Sequence, residues 1–219
     1  MTSAGIFVTG TDTGVGKTVT ACALLRAHVA SGLRAVGMKP VASGIAAGAL
    51  CHADVAALAA AGNVEAPLAV RNPYAFAPAI APHLAAREAG VVIELVRIGA
   101  AYRELAARTD RVVVEGAGGA LSPLDDQRDM LDIACTIGLP VLLVVGIRLG
   151  CLNHALLSAA AIRARGLVLA GWVANAIEPA LSRFDENVAT LERRLAAPRV
   201  ATLAWNDAAA PRWDDAVLP

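Results

Sequence analysis

Short apolar runs alternate with longer amphipathic stretches along the chain. The runs are rich in β-branched residues, which is typical of strands buried on both faces of a parallel sheet. In the amphipathic stretches, apolar residues recur with the spacing of one helix face. Strands are predicted at 6–9, 35–38, 111–115, 140–147, 168–174 and 199–203. Helices are predicted at 19–31, 55–61, 94–109, 129–137, 153–165 and 180–195, and a further helix is predicted to start at Pro82.

The alternation of strands and helices predicts the fold class. Short connections between the two predict an α/β protein with a mostly parallel central sheet and helices on both faces, in three layers. Right-handed crossovers bring the loops that follow the strands to one edge of such a sheet. We therefore expect a ligand site built from the loops 11–16, 39–54, 115–119 and 148–153 and from Asn175.

The loop after the first strand has the composition of a phosphate-binding loop. Residues 10–18 read Gly-Thr-Asp-Thr-Gly-Val-Gly-Lys-Thr and precede a predicted helix. Glycines let backbone N–H groups face an anion, and the helix N-terminus adds unpaired N–H groups. Lys17 is suited to contact the outer phosphates and Thr18 to bind Mg²⁺, which predicts a P-loop NTPase-like fold. The loop is one residue longer than the standard pattern, and the alternative interpretation is a glycine-rich turn with a surface lysine.

Charged residues follow or end two further predicted strands. Lys39 follows the strand 35–38, and Glu115 ends the strand 111–115, just before Gly-Ala-Gly-Gly. Asp54 stands where the next helix after Lys39 begins. We predict that Asp54 and Glu115 lie near a metal bound at Thr18, because Mg²⁺ prefers oxygen ligands. The alternatives are an N-cap for Asp54 and solvated strand-end charges for the other two.

Two loops in the second half of the chain complete the predicted site. Residues 148–153 precede a helix whose N-terminus can bind an anion, with Asn153 as a possible N-cap. Asn175 follows a predicted strand, where it can face a nucleotide base. A GTPase usually carries Asn-Lys-x-Asp at this place, whereas residues 175–178 read Asn-Ala-Ile-Glu, which favours adenine.

Composition narrows the possible functions. The chain has 219 residues and a formal net charge of zero, which suits one domain over 1–219 and gives no indication of nucleic-acid or membrane binding. Its longest apolar runs are too short to span a membrane. Met1 leads almost directly into the first strand, without the basic region of a signal peptide. Four scattered cysteines predict reduced thiols in a cytoplasmic protein.

The segment 63–81 is rich in proline and poor in regular pattern. Such an insertion in an α/β chain is often a functional loop, and the alternative is an ordinary surface excursion. Its residues 72–76, Asn-Pro-Tyr-Ala-Phe, are predicted to form a short extended piece. His83, just after the segment, is predicted to cap or pack rather than to catalyse.

Taken together, these motifs resemble the dethiobiotin synthetase family, ATP-dependent enzymes of biotin synthesis. The matching pieces follow the family's order, span most of the chain and include the longer phosphate loop. They are Phe-Val-Thr-Gly-Thr-Asp-Thr-Gly-Val-Gly-Lys-Thr at 7–18, Lys-Pro-Val-Ala-Ser-Gly at 39–44, Asn-Pro-Tyr-Ala-Phe at 72–76, Pro-His at 82–83, Val-Glu-Gly-Ala-Gly-Gly at 114–119, Leu-Gly-Cys-Leu-Asn-His-Ala at 149–155 and Ala-Gly-Trp-Val-Ala-Asn at 170–175.

The resemblance implies a reaction and a set of residue roles. In this reaction 7,8-diaminononanoate, CO₂ and Mg-ATP give dethiobiotin, ADP and phosphate through a carbamate and a carbamic-phosphoric anhydride. Lys17 and Lys39 are the implied catalytic residues, and Ser43 is implied to bind the carbamate region together with Lys39. The implied Mg²⁺ ligands are Thr18, Asp54 and Glu115. The implied ATP contacts are Thr13, Gly14, Val15, Gly16, Lys17, Thr18, Glu115, Gly118 and Asn175.

The resemblance also implies a homodimer whose substrate site lies at the subunit interface. The acid tail of the diamine is implied to reach the loop of the second subunit formed by Gly150, Cys151, Leu152 and Asn153. A helix N-terminus there can bind a carboxylate without a cationic side chain.

Three other interpretations share parts of this pattern. A partition-type switch ATPase, a regulatory protein, normally carries a second lysine early in its phosphate loop, where this chain has Gly10, Thr11 and Asp12. An amide-forming ligase for a corrinoid acid usually carries a glutaminase domain, for which the chain is too short. A nucleotide-binding relic is disfavoured because Lys17, Lys39, Asp54 and Glu115 are all present.

Overall fold

Strands and helices alternate through the protein as the hydrophobic pattern predicts. The structure, a computed structural model, describes residues 4–179, 181–205 and 213. Within these residues the strands are β1 (Ala4–Gly10), β2 (Ala35–Met38), β3 (Val41–Ser43), β4 (Tyr74–Phe76), β5 (Arg111–Glu115), β6 (Val141–Ile147), β7 (Leu169–Ala176) and β8 (Arg199–Leu203). The helices are α1 (Lys17–Ala30), α2 (Ala53–Ala61), α3 (Leu68–Arg71), α4 (Pro82–Glu88), α5 (Leu95–Ala106), α6 (Met130–Ile137), α7 (Cys151–Ala164) and α8 (Phe184–Arg194).

A parallel sheet forms the centre of the described structure. Its strand order is β2-β5-β1-β6-β7-β8, and each neighbouring pair is parallel. β1 pairs with β5 on one side, where Val8 lies opposite Glu115, and with β6 on the other. β3 and β4 form a separate parallel pair. The loops that follow β1, β2 and β5 therefore leave the sheet at the same edge, and the predicted parallel sheet is confirmed.

The two faces of the sheet bury separate hydrophobic clusters. Phe7 belongs to the cluster that includes residues of α5, α6 and α7, whereas its neighbours Ile6 and Val8 belong to the cluster that includes residues of α1 and α2. β6 is buried at all seven of its positions. This burial is expected for a strand covered on both faces, and the predicted three-layer arrangement is confirmed.

Two helices that follow ligand loops begin earlier than predicted. α1 begins at Lys17, two residues before the predicted start, because Gly16 with a φ of 92° turns the loop directly into the helix. α7 begins at Cys151, and its N-cap is Gly150, also with a φ of 92°. The prediction that Asn153 is the N-cap is therefore wrong, and Asn153 lies inside the first turn.

Other boundaries also differ from the prediction. The N-cap of α2 is His52, whose Nδ1 accepts a hydrogen bond from the backbone N–H of Asp54, so Asp54 is not the N-cap. β7 extends through Asn175 to Ala176. α8 begins only at Phe184, and residue 180, where that helix was predicted to start, lies outside the described residues. The residues after 205 also lie outside them, except for residue 213.

The proline-rich segment is more regular than its pattern indicated. It contains α3 and β4, and β4 pairs with β3 two residues after Lys39. α4 begins at Pro82, as predicted. Among the described residues, none of the helices combines the length and the apolar character needed to cross a membrane.

Candidate active site

A pocket of about 720 Å³ opens where the loops after β1, β2 and β5 leave the sheet. The start of α1, the start of α2 and the segment after β4 form the rest of its wall. Its polar lining residues are Thr13, Lys17, Thr18, Lys39, Ser43, His52, Asp54, Glu115 and Ser122. The structure thus brings together at one pocket most of the residues that the sequence nominated for phosphate, metal and carbamate.

The phosphate loop has the shape that anion binding needs. Gly14 and Gly16 have φ values of 74° and 92°, in the left-handed region that favours glycine. A Cβ at Gly16 would lie 2.1 Å from Nδ2 of Asn175, so a side chain is excluded there. Nothing lies within 4 Å of the Cβ position at Gly14, which leaves open space beside the backbone. Lys17 extends back over this loop and donates from Nζ to the carbonyl oxygen of Asp12 at 2.9 Å.

A nearby anion would stabilise the charged form of Lys17. Its side chain is buried, with 7% of the residue exposed. Burial, and then the neighbouring ammonium of Lys39, lower the pKa of Lys17 to about 8. Both effects disfavour the charged form, and both are relieved when phosphate oxygens enter the pocket.

Lys39 stands at the centre of a buried cluster of charges. Its Nζ donates to Oε1 of Glu115 at 2.6 Å, to Oδ2 of Asp54 at 2.9 Å and to the carbonyl oxygen of Gly116 at 3.2 Å. Oγ1 of Thr18 donates to the same Glu115 oxygen at 2.8 Å. Lys39 is 3% exposed and Glu115 is 0% exposed. Lys39 thus neutralises two carboxylates within a largely buried site.

The charges of this cluster support one another. Burial acts to lower the pKa of Lys39, but the carboxylates of Glu115 and Asp54 outweigh burial and raise that pKa above its ordinary value. Burial acts to raise the pKa of Asp54, but Lys39, with smaller contributions from His52 and Thr18, holds that pKa below its ordinary value. The ammonium of Lys39 and the carboxylate of Asp54 are therefore both charged at neutral pH.

The oxygen atoms around Lys39 fit a magnesium ion. Thr18, Asp54 and Glu115 offer a hydroxyl and two carboxylates, which are hard ligands of the kind that Mg²⁺ binds. Oε2 of Glu115 is buried and has no hydrogen-bond partner among the described residues. A buried carboxylate oxygen without a partner indicates an acceptor reserved for a ligand. Because Lys39 already occupies the other oxygen, a metal ion and Lys39 compete for the same carboxylate.

Other predicted residues surround this cluster in different ways. Thr13, Ser43 and Gly118 line the pocket, and Oγ of Ser43 donates to the carbonyl oxygen of Ile80 at 2.7 Å. Val15 is buried beneath the loop. The residues that line the pocket in the described structure include neither Val15 nor Asn175.

Asn175 contacts the phosphate loop from below. Its Nδ2 donates to the carbonyl oxygen of Val15 at 2.8 Å, and the residue is 8% exposed. This bond fixes which way the amide points, so Oδ1 is the atom left to accept a hydrogen bond. Oδ1 and the second N–H of Nδ2 remain for the predicted contact with a base.

The loop 150–153 lies apart from the phosphate pocket. Gly150 and Asn153 are exposed, whereas the side chain of Cys151 is buried in the core, with 1% of the residue exposed. A second depression of about 420 Å³ lies beside it, lined by Asp12, His154 and other residues. Because the Cys151 thiol is buried, the groups available at this helix start are backbone N–H groups and the exposed side chains of Asn153 and His154.

Sequence reasoning missed three residues that shape the site. Asp12 accepts from the backbone N–H of Thr13 at 2.7 Å through Oδ1 and pairs with Arg148 at 2.5 Å through Oδ2. His52 caps α2 and lines the pocket. Oγ of Ser122 accepts from the backbone N–H of Gly119 at 2.8 Å. The acidic residue within an anion-binding loop was a usable signal for Asp12, whereas the other two needed the folded chain.

Comparison with known proteins identifies the family. A family model described as an AAA domain matches residues 4–212. The ATP-dependent dethiobiotin synthetase BioD of Nitrosospira multiformis is 54% identical over 202 residues, which cover 92% of this chain and 88% of that protein. This chain belongs to the dethiobiotin synthetase family. A protein with the same name from Pseudomonas aeruginosa is 55% identical over 195 residues, covering 88% of this chain and 86% of that protein. As a member of this family the chain is an enzyme of the ligase class.

Solved structures of more distant proteins share the fold. The signal recognition particle 54 kDa protein of Aeropyrum pernix in complex with GDP matches with a TM-score of 0.61 and 16% identity, over 99% of this chain and 45% of that chain. The cell division protein FtsY of Thermotoga maritima matches with a TM-score of 0.57 and 17% identity, over 98% and 66% of the two chains. At such low identity these matches show the fold alone, and they agree with the predicted P-loop NTPase-like architecture.

Proposed function

We propose that residues 1–219 form one catalytic domain that converts 7,8-diaminononanoate, CO₂ and ATP into dethiobiotin, ADP and phosphate. The observation that carries the proposal is the convergence of Lys17, Lys39 and three oxygen ligands on one pocket beside the phosphate loop. Family membership supplies the substrate class. The pocket volume of about 720 Å³ is within the range of small-molecule sites.

The reaction requires two bond-forming steps after carboxylation. One amine of the substrate adds to CO₂ and loses a proton, which gives a carbamate. A carbamate oxygen then attacks the γ-phosphorus of ATP while the bond to the bridging oxygen of ADP breaks. The second amine attacks the carbonyl carbon of the resulting carbamic-phosphoric anhydride, phosphate leaves and the ureido ring closes. The carbamate is already an anion, so its attack needs no general base.

The residues of the pocket supply positioning and charge. Phosphoryl transfer depends on neutralising the transferring group and aligning the nucleophile more than on covalent help. Lys17 and Lys39 are placed to flank the γ-phosphate and the carbamate, and Thr13 on the wall is placed to donate a hydrogen bond to the same region. Ser43 would donate there only after releasing the carbonyl oxygen of Ile80, to which its hydroxyl is bonded. Backbone N–H groups of the glycine-rich loops, at Gly14, Gly16 and Gly118, are proposed to bind phosphate oxygens, and at Gly14 the absence of a side chain leaves open space for a ligand.

Mg²⁺ is the proposed metal cofactor. It neutralises phosphate charge during transfer, and Thr18, Asp54 and Glu115 are the residues that would hold it. The orphaned buried oxygen of Glu115 supports this assignment. At the other end of the nucleotide, Oδ1 of Asn175 is proposed to accept from the amino group of adenine, while Nδ2 bonds to the loop through one of its two N–H groups.

A homodimer is proposed to complete the substrate site. The carboxylate tail of the diamine would bind at Gly150, Cys151, Leu152 and Asn153 of a second copy, mainly through backbone N–H groups at the start of α7. Two observations support this: the loop does not line the phosphate pocket of its own described chain, and its Gly150 and Asn153 are exposed. The free thiols of all four cysteines suit a cytoplasmic location for this enzyme.

The test is phosphate release from Mg-ATP in bicarbonate buffer, with and without 7,8-diaminononanoate. We expect release that depends on the diamine and that is matched by dethiobiotin detected by mass. Diamine-independent release would favour the alternative, a partition-type switch ATPase. Nucleotide binding without any release would indicate a protein that has kept the site and lost the reaction.

A further inference from the structure

A buried amide bonds directly to the backbone of Lys39. Asn72 is 5% exposed, and its Nδ2 donates to the carbonyl oxygen of Lys39 at 2.7 Å and to that of Tyr74 at 2.9 Å. The backbone N–H of Lys39 donates to the carbonyl oxygen of Arg71 at 2.8 Å. Both backbone polar groups of Lys39 are therefore bonded to one short segment, 71–72.

The same segment is fixed at its other end to the core. The Tyr74 hydroxyl accepts from the backbone N–H of Glu94, one residue before α5, at 2.9 Å. The guanidinium of Arg97 lies 4.8 Å from the centroid of the Tyr74 ring. Tyr74 itself is 3% exposed. Asn72 thus connects Lys39 to a frame that extends to α5.

Lys39 needs such a connection because it lies just beyond the sheet. The pairing of β2 with β5 ends at Met38, opposite Val114, and β3 begins only at Val41. A lysine side chain is long and has many rotamers. The bonds of its ammonium to Asp54, Glu115 and Gly116 fix one end of this side chain, and the bonds of its backbone fix the other. Small misplacements of a group that acts on a transferring phosphate lower the rate steeply.

We propose that Asn72 is a positioning residue for Lys39, which it holds through the backbone carbonyl without touching a reacting atom. The proposal rests on the function proposed above for Lys39. It gives the proline-rich segment 63–81 a specific purpose, because Asn72 and Tyr74 both lie in that segment.

The chain offers a control for this proposal at the opposite end of β2. Asn63 accepts from the backbone N–H of Ala35 at 2.8 Å and donates to the carbonyl oxygen of Leu33 at 3.0 Å. Asn63 and Asn72 therefore each make two hydrogen bonds to backbone next to one end of β2, but only Asn72 bonds to Lys39. Asn72→Ala and Asn63→Ala are compared in kcat, in KM for ATP and for the diamine, and in Tm, with all assays made well below the lowest Tm.

We expect Asn72→Ala to lower kcat by about 100-fold with KM for ATP changed less than about threefold. Asn63→Ala should keep kcat within about twofold, since it alters the end of β2 away from the pocket. A kcat for Asn72→Ala within about threefold of the wild type would overturn the proposal, as would equal losses of kcat in the two variants. If Asn72→Ala does not fold, Asn72→Leu, which has a similar size and removes both N–H donors, is judged by the same criteria. Wild-type turnover is measured in parallel, so a failure of the proposed reaction is distinguishable from a failure of this inference.

Discussion

The sequence predicts that the phosphate pocket and the start of α7 both bind anions, but the structure builds them from different groups. In the pocket, Lys17 at the start of α1, Lys39 just after β2 and Glu115 at the end of β5 are buried, and Lys39 bonds directly to Glu115. At the start of α7, Gly150 and Asn153 are exposed. The nearby cation, Arg148, is occupied by Asp12. One site is rich in fixed charge, and the other offers backbone N–H groups and an amide.

This difference matches two different chemical demands. Moving a phosphoryl group requires charges that are held in place before the reaction, because reorganising them would raise the barrier. Holding the carboxylate tail of a substrate requires only affinity, which a helix N-terminus provides. We therefore expect substitutions in the pocket to reduce kcat or stability strongly, and substitutions at α7 to raise KM for one substrate.

The largest expected effect is that of Lys17→Gln. The substitution removes the ammonium that lies over the phosphate loop while keeping a side chain of similar length and polarity. We expect turnover to fall by about 10³-fold or more, as when a charge at a transferring phosphate is lost. Phosphate release and dethiobiotin formation measure the loss, and circular dichroism checks the fold. A variant with nearly normal rate would mean that another group acts at the phosphate.

Lys39→Met tests the competition between lysine and metal. Without the ammonium, the fully buried Glu115 and the neighbouring Asp54 face each other unneutralised. Breaking a buried pair in this way costs about 3–5 kcal/mol, so we expect Tm in metal-free buffer to fall by about 10 °C. Added Mg²⁺ should raise the Tm of the variant more than that of the wild type, because the carboxylates have lost their competing cation.

The double variant Lys39→Met/Glu115→Gln is the matched control for that experiment. It removes both members of the pair, so most of the lost stability should return and the extra response to Mg²⁺ should disappear. If Mg²⁺ shifts the Tm of the wild type and of Lys39→Met equally, these carboxylates do not bind the metal in the absence of nucleotide.

His28 allows the effect of pH on the stability of the fold to be measured separately from its effect on the active site. It lies about three turns along α1 from Lys17 and is 4% exposed. Burial, and then the charge of Arg111, lower its pKa to about 4. Because the folded-state pKa lies below the unfolded value near 6.5, the unfolded chain takes up the proton first as pH falls. Stability is therefore complete above pH 6.5 and is lost as pH falls towards 4.

We expect this loss to amount to about 3 kcal/mol, the free energy that corresponds to lowering the pKa of His28 from its ordinary value to about 4. Urea unfolding of the wild type and of His28→Leu between pH 7 and 4 measures it. The stability of the wild type should fall by about 3 kcal/mol more than that of the variant over this range, since the variant lacks the titrating ring. Parallel curves would assign the acid sensitivity to other groups.

The pattern of apolar residues was sufficient to predict the sheet, because strands buried on both faces leave a strong local signal. The alternation of Ile6, Phe7 and Val8 between two cores is such a signal. It was not sufficient for the helix starts, since Gly16 and Gly150 in left-handed conformations begin α1 and α7 without the side-chain caps that a sequence shows.

Within the candidate site, the residue types were predictable and their pairings were not. Lys39, Asp54 and Glu115 each follow a local rule about loops at strand ends. The bond between Lys39 and Glu115 joins residues 76 positions apart, and only the parallel pairing of β2 with β5 brings them together. Asn72 stands in a motif that the sequence singled out, at 72–76, but its bond to Lys39 was not predictable, because the partners of a buried amide are known only once the chain is folded.

Asn153→Ala tests the other side of the comparison and has the smallest expected effect. We expect KM for the diamine to rise by about tenfold, which corresponds to one lost hydrogen bond to a charged group, with KM for ATP unchanged. Asn187→Ala, an asparagine on α8, serves as control. An equal rise in both KM values would remove the α7 loop from substrate binding.

Mixing two variants decides whether this loop acts on its own pocket or on that of a second copy. Suppose that each site takes Lys17 from one subunit and Asn153 from the other. A dimer of one Lys17→Gln subunit and one Asn153→Ala subunit then has one site in which both residues are altered and one in which both are intact. Random mixing of equal amounts then restores about a quarter of the wild-type sites, with the wild-type KM for the diamine. If pocket and loop of the same chain form the site, mixing restores none, and turnover at low diamine concentration stays at the level of the separate variants. Restored activity would show that one chain supplies the whole phosphate pocket and that binding of the carboxylate tail of the substrate requires two chains.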